Sequence, residues 1–358
     1  MIRTISLLLA GVLVVPKCAW AQNAPSASSQ AGTNATYPAA ATPSDPTALM
    51  VQAARLNGLA GVLAPWHLEA TYQTFDADGK PKDQGTFSEW WAGKDTYKTV
   101  YTSAASDLDL TIYRYGKTSA STGSPGWIPF RAQTAQRYLV SPVPPPSAVE
   151  KLAFSIMPMN LGQVTLQCLR APLSEPDARS YLPYADLPAV CTTEGSHIVR
   201  AIVDPNKFLV LFNKIVQIGG RYVAEDLSVR DPDLTIVNMQ VTNLELLSTV
   251  NASDFVPPAT ASSFPVPVAL REIARQAIGG DAPIYPAVAK SQHVEGVVTL
   301  YAVMTKKGRI GELEVLSGPK ALQRAAYDAV KTWKYKPYLV DGQPVEVQTQ
   351  IRVMFHIR

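Results

Sequence analysis

The sequence predicts an α+β protein. An N-terminal antiparallel, strongly curved sheet or half-barrel precedes a smaller domain, in which a three-stranded antiparallel sheet carries helices on one face. Three observations predict this. Runs of period-two alternation recur from residue 66 to residue 244, separated by short turn signals. A stretch rich in Pro, Ala and Ser at 251–267 then marks a boundary. Finally, the chain closes on an unusually clean alternation. Val345, Val347, Thr349, Ile351, Val353, Phe355 and Ile357 point one way, and Glu346, Gln348, Gln350, Arg352 and His356 the other, with Met354 the one exception.

The first 21 residues read as an export signal. Arg3 supplies the positive charge, Ile5 to Val15 the short apolar run, and Ala19-Trp20-Ala21 the small residues that place cleavage after Ala21. A run of about a dozen residues is shorter than the roughly 20 that a membrane-spanning helix needs. An uncleaved signal acting as an inner-membrane anchor is the competing reading. Residues 22–46, made of Ala, Ser, Thr, Asn, Gly and Pro, cannot bury enough apolar surface to offset ordering entropy and read as a tether. With Arg3 and Lys17 removed, 32 basic residues become 30 against 29 acidic ones, a net of +1. That balance offers no electrostatic case for nucleic acid or anionic lipid. Cys168 and Cys191 are then the cysteines of the mature chain, and an exported protein with two cysteines favours a disulfide.

Residues 47–250 form the first domain. A short helix is expected over Thr47–Asn57, ended by Gly58. Trp66, Leu68, Ala70 and Tyr72 then alternate with His67, Glu69, Thr71 and Gln73. Asp76-Ala77-Asp78-Gly79 is a turn, and Phe87, Glu89 and Trp91 alternate with Ser88 and Trp90. Further runs follow up to Leu244, with Gly219-Gly220 as a hairpin signal between two of them. Ser141–Met159, with its prolines, reads as a loop plus a short covering segment. Residues 251–280 read as a Pro-rich linker ending in an amphipathic helix to Ile278.

In residues 281–358, Tyr285-Pro286 opens a short helical stretch and strands follow over Val297–Thr305 and Arg309–Leu316. Ser317-Gly318-Pro319 starts a helix that buries Leu322, Ala326, Ala329, Val330 and Trp333 and stops before Pro337. Asp341-Gly342 turns into the final strand, one face of which packs on the helix while the other stays wet. The order and spacing of Tyr285-Pro286, Glu295-Gly296-Val297, Gly308-Arg309-Ile310, Val315-Leu316-Ser317-Gly318 and Trp333-Lys334-Tyr335-Lys336-Pro337 resemble the TonB C-terminal domain family over residues 281–358.

The resemblance implies binding of a short peptide from an outer-membrane receptor, added as a strand to the sheet edge. The edge is expected along Val347, Gln348, Thr349, Gln350, Ile351, Arg352 and Val353. On this reading Val353→Pro deletes an edge donor. The motif residues are Tyr285, Pro286, Gly296, Trp333, Tyr335 and Pro337.

Residues 49–250 resemble, more weakly, the LolA-type half-barrel of lipoprotein carriers, in the opening helix, the strand at Trp66–Tyr72, the Gly85–Trp91 strand and the cysteine pair. That resemblance implies an apolar cleft for a lipid or lipoprotein acyl chain, with Trp66, Tyr72, Phe87, Trp91 and Leu110 as candidate lining, against the plain alternative that they fill the core. His67, His197, His293 and His356 are scattered without metal-ligand spacing, and no nucleophile–base pattern stands out. The expected protein is a periplasmic, cofactor-free interaction protein rather than an enzyme. It binds a receptor or another protein's peptide segment and does not bind nucleic acid. A membrane-anchored energy transducer is the alternative.

Overall fold

The computed structural model describes residues 45–76, 79–105, 107–124, 128–171, 188–204, 208–231, 234–268 and 270–357. The expected export signal, nearly all of the tether, and Ala77 and Asp78 of the expected turn lie outside them. Among the described residues, no helix is long and apolar enough to cross a membrane.

The chain enters through α1 (Pro46–Leu56), one residue earlier than the spacing predicts. Asp45 accepts hydrogen bonds from the Thr47 and Ala48 amides, each at 3.1 Å, and Pro46 takes the first helical position. Twelve strands follow: β1 (Trp66–Phe75), β2 (Pro81–Gly93), β3 (Thr96–Ser103), β4 (Leu108–Tyr115), β5 (Thr118–Gly123), β6 (Ser155–Leu161), β7 (Val164–Arg170), β8 (Ala189–Thr193), β9 (Val199–Val203), β10 (Leu209–Ile218), β11 (Arg221–Asp231) and β12 (Leu234–Leu246). They lie in the spatial order β5-β4-β3-β2-β1-β12-β11-β10-β9-β8-β7-β6. Two antiparallel meanders thus join where the first strand pairs with the twelfth, Trp66 opposite Leu246. The expected curved half-barrel is therefore present. Gly219 and Gly220, with φ of 54° and 76°, form the two-residue turn between β10 and β11 that the Gly pair predicts.

The connection from β5 to β6 runs through α2 (Phe130–Val140) and α3 (Pro146–Val149). The sequence reading missed α2. Its buried stripe is weakly apolar: Ala132, Thr134 and Ala135 precede Tyr138 and Leu139, and Gln133, Gln136 and Arg137 interrupt the signal. The helix packs on the inner face of β1, β11 and β12 and fills the concave side of the sheet. This corrects the expected apolar cleft. Trp66, Tyr72, Phe87 and Leu110 are all buried in that packed core, and Trp91 packs against it with its ring 5.9 Å from that of Trp66. A trough of about 830 Å³ does exist, with a mixed lining in which Tyr72 and Met239 stand among polar side chains such as Thr71, Gln73, Thr86 and Gln240.

One acid lies inside this core. Glu89 shares the inner face with Phe87 and Trp91. It accepts a hydrogen bond from Gln136 of α2, whose carbonyl oxygen accepts from the Tyr101 hydroxyl. Burial pushes the Glu89 carboxyl up to about 7, against the opposing pull of the Gln136 donor. The unfolded chain loses this proton near the ordinary Glu value, whereas the folded chain holds it to about 7. The folded state is therefore progressively disfavoured as pH rises between those two values, and the penalty is constant above. Glu89→Gln is expected to add about 2 kcal/mol of stability at pH 8 and to flatten the stability profile between pH 5 and pH 7, measured by urea unfolding.

The expected disulfide is present. Cys168 of β7 and Cys191 of β8 stand opposite each other and are bonded. Their separation is 23 residues. Closing a loop of this size contributes about 3 kcal/mol through the unfolded state, so replacing both cysteines with Ala is expected to lower the unfolding free energy by about that amount.

The second sheet contains β16 (Gly296–Met304), β17 (Ile310–Ser317) and β21 (Val347–Phe355), with α5 (Ala287–Ser291) and α6 (Lys320–Val330). Strand β16 lies between β17 and β21, and Leu322, Ala326, Ala329 and Val330 of α6 are buried, as the helical spacing predicts. The linker departs from expectation. The amphipathic helix is only α4 (Leu270–Ala274), and Ala277–Gly279 form a short strand, β15, against β18 (Lys334–Tyr335). Ile278, assigned to the helix face, is 60% exposed. The hairpin β19 (Tyr338–Val340) and β20 (Gln343–Val345) turns at Asp341-Gly342 as expected. Two further strands, β13 (Ser262–Ser263) and β14 (Val266–Pro267), come from the Pro-rich stretch.

Candidate functional site: the outer edge of the last strand

The motif residues build the frame that presents β21. Tyr285 donates its hydroxyl to the Val294 carbonyl at 2.7 Å and meets Phe355 edge-on, ring centres 5.4 Å apart. Pro286 caps α5. Gly296 begins β16, opposite Phe355. The Trp333 indole donates to the Asp281 carbonyl at 2.9 Å, tying the end of α6 to the start of the domain. Tyr335 is buried, which pushes its hydroxyl up to about 12, and its amide donates to the Gly308 carbonyl. Gly308 has φ of 71°, and a Cβ there would lie 1.9 Å from the Tyr335 carbonyl oxygen, so the turn admits only glycine. Pro337 closes this corner before β19. These side chains hold geometry, and the binding capacity of the site resides in backbone.

That backbone alternates. The carbonyls of Glu346, just before β21, and of Gln348 within it point outward, each accepting a hydrogen bond at 2.9 Å, from the Val266 and Val268 amides respectively. The outward positions are therefore 346, 348, 350, 352 and 354, while Val347, Thr349, Ile351, Val353 and Phe355 turn their amides to β16. This corrects the sequence reading in two ways. Only every second residue of the expected set Val347–Val353 faces the edge, and Val353→Pro would break the ladder to β16 instead of deleting an edge donor. The edge is also partly occupied: β14 pairs in parallel with Val347 and Gln348. Among the described strands, none continues that pairing beyond Gln348.

The face of the sheet opposite α6, expected to be wet, is covered in its middle. Tyr301 and Val303 of β16 and Leu316 of β17 belong to the core of the first domain. The Tyr301 ring lies 4.7 Å from Phe130 at the start of α2, and its hydroxyl donates to Gln348 at 2.7 Å. Arg131 reaches Glu314 at 3.4 Å, with both side chains mostly shielded. Strand β16 is thus buried on both faces, in keeping with its nearly unbroken apolar run from Val297 to Met304. That run was the signal in the sequence for a covered face. At the far end, Val297 and Met354 stand opposite each other and exposed, and His356 pairs with Glu295 at 2.9 Å.

Residues 281–357 match the family "Gram-negative bacterial TonB protein C-terminal". Over 77 residues the TonB-like domain is 32% identical to Protein TonB of Vibrio cholerae serotype O1, a stretch amounting to 21% of this chain and 32% of that protein. The chain thus spans about a third of the length of this curated relative. The solution structure of the Pseudomonas aeruginosa TonB C-terminal domain is 27% identical and covers 23% of this chain and 85% of that one, with a TM-score of 0.21. For the first domain, the crystal structure of a LolA superfamily protein from Nitrosomonas europaea covers 60% of this chain and 98% of that one at 9% identity, with a TM-score of 0.39.

The interface makes one prediction. Tyr301→Ala removes a buried ring from between the two cores and is expected to destabilise the whole described unit by about 3 kcal/mol. The measurement is urea unfolding, and a change below about 0.5 kcal/mol would mean that the contact is incidental.

Proposed function

We propose that this chain is an exported, non-enzymatic envelope protein whose TonB-like domain takes an extended segment of a partner protein as an added strand along β21. The supporting observation is that this edge already accepts such a segment from the chain itself. Val266–Val268 add in parallel, with two amide donors on two outward carbonyls. The Arg3 charge, the Ile5–Val15 apolar run and Ala19-Trp20-Ala21 read as an export signal and support a location beyond the inner membrane. The TonB resemblance makes an outer-membrane receptor's N-terminal segment the first partner to test. The first domain serves as the frame on which the TonB-like sheet is seated, its interior filled by α2 instead of being held open for an acyl chain.

Met354 is the outward position nearest the end of β21, and its side chain is 76% exposed. Met354→Pro removes an outward amide and leaves the Val353 and Phe355 pairs with β16 in place. Pull-down of solubilised outer-membrane receptors with the chain from residue 22 onward is expected to recover a receptor, and the Met354→Pro chain is expected to recover at least about tenfold less. Equal recovery by the two chains would contradict strand addition, and the absence of any receptor would contradict the assignment of partner.

A further inference from the structure

The Pro-rich linker is built as an edge strand. Ser262 and Ser263 pair with Ser121 and Ala120 of β5, and the Phe264 amide donates to the Ser119 carbonyl. Immediately after Pro265, the chain transfers to the other sheet. The amides of Val266 and Val268 donate to Glu346 and Gln348, and the Thr349 hydroxyl donates to the Val268 carbonyl at 2.8 Å. The side chains follow the same division, with Phe264 packed against the first core and Val266 and Val268 against the second.

Successive amides of an extended strand point to opposite sides. In Pro265-Val266-Pro267-Val268 each Val therefore turns its N–H toward β21, while each Pro stands where an N–H would turn away from it. Proline has no amide proton. The segment is thus a one-sided strand: it completes the edge of β21 and offers no donor for a further strand to add outside it.

We infer that Pro265–Val268 is an internal occupant of the partner site, and that it reports the chemistry of the segment the site takes. That segment is extended and parallel to β21. It has free amides at the two positions opposite Glu346 and Gln348, carries β-branched apolar side chains at those positions, and accepts proline between them. A partner engages the first half of the edge only by displacing the linker. This inference rests on the strand-addition reading given above and adds the composition of the partner and the cis competitor.

The test uses the chain from residue 22 onward and a fluorescein-labelled peptide copying residues 262–268. In one protein, Val266→Pro and Val268→Pro together remove both cis donors. Fluorescence anisotropy is expected to show the peptide binding this variant at least about tenfold more tightly than the unaltered chain, because the cis competitor is gone. A control peptide with Pro at both Val positions is expected not to bind. Should the double proline variant fail a circular dichroism check of its fold, Val266→Gly with Val268→Gly replaces it, removing the apolar anchors and favouring release.

Equal affinity for the altered and unaltered chains overturns the inference. So does binding of the control peptide, or failure of the copy peptide to bind a folded variant. No receptor takes part in this assay. Lost receptor capture with intact, cap-sensitive peptide binding would defeat the partner assignment alone, whereas peptide binding indifferent to the cap would defeat this inference alone.

Discussion

A sheet edge is a row of backbone donors and acceptors that must be satisfied, covered or left to water, and the arrangement of this molecule follows from how it meets that constraint. One seven-residue stretch, Ser262–Val268, completes the outer strand of each sheet in turn. Its alternating prolines make it a terminating strand, so the two sheets do not run on into one another through it. Because the stretch is bonded to β5 on one side of Pro265 and to β21 on the other, it also ties the positions of the two sheets together.

The same constraint shapes the proposed competition at the site in energetic terms. Each backbone hydrogen bond contributes a net of about 1 kcal/mol, so two such bonds and two half-buried valines make a weak cap in isolation. The cap is strong only because it is tethered, at an effective concentration on the order of millimolar or above. Closure of the sheet face by Tyr301, Phe130 and the Arg131–Glu314 pair holds β21 in place while this exchange occurs at its rim. The first domain therefore contributes rigidity to the site, and α2 is the element common to both: its middle fills the half-barrel and its first turn meets the TonB-like sheet.

Much of this was legible in the sequence. Strands with one face in the core showed clean alternation, the Gly219-Gly220 turn declared its hairpin, and the linked motifs from Tyr285-Pro286 to Pro337 located the second domain, with glycines such as Gly308 and Gly318 at turns where a Cβ would clash. What was hidden depends on tertiary partners. Helix α2 lacks a strong apolar stripe because Gln136 is directed at a buried acid and Arg137 reaches Asp204, both far away in sequence. Glu89 sat in the alternation as if it were an ordinary inward position, and nothing local showed that burial would hold its proton. The expected edge took successive residues of β21 where only alternate ones face outward, because the side to which an amide points is defined only once the neighbouring strand is known. The linker was read from its prolines as a spacer, since two-residue strands leave no period to detect. The wet face was misjudged because alternation in β21 is compatible with partial cover by another domain, whereas the unbroken apolar run of β16 was the better indicator.

The central claim, that the linker is a bonded edge strand of the TonB-like sheet, is tested most directly by amide hydrogen exchange on the unaltered chain. The Val266 and Val268 amides are expected to exchange at least about a thousandfold more slowly than in an unstructured peptide, close to the inner β21 amides of Ile351 and Val353. Exchange of Val266 and Val268 at the unstructured rate, with Ile351 and Val353 still protected, would contradict it.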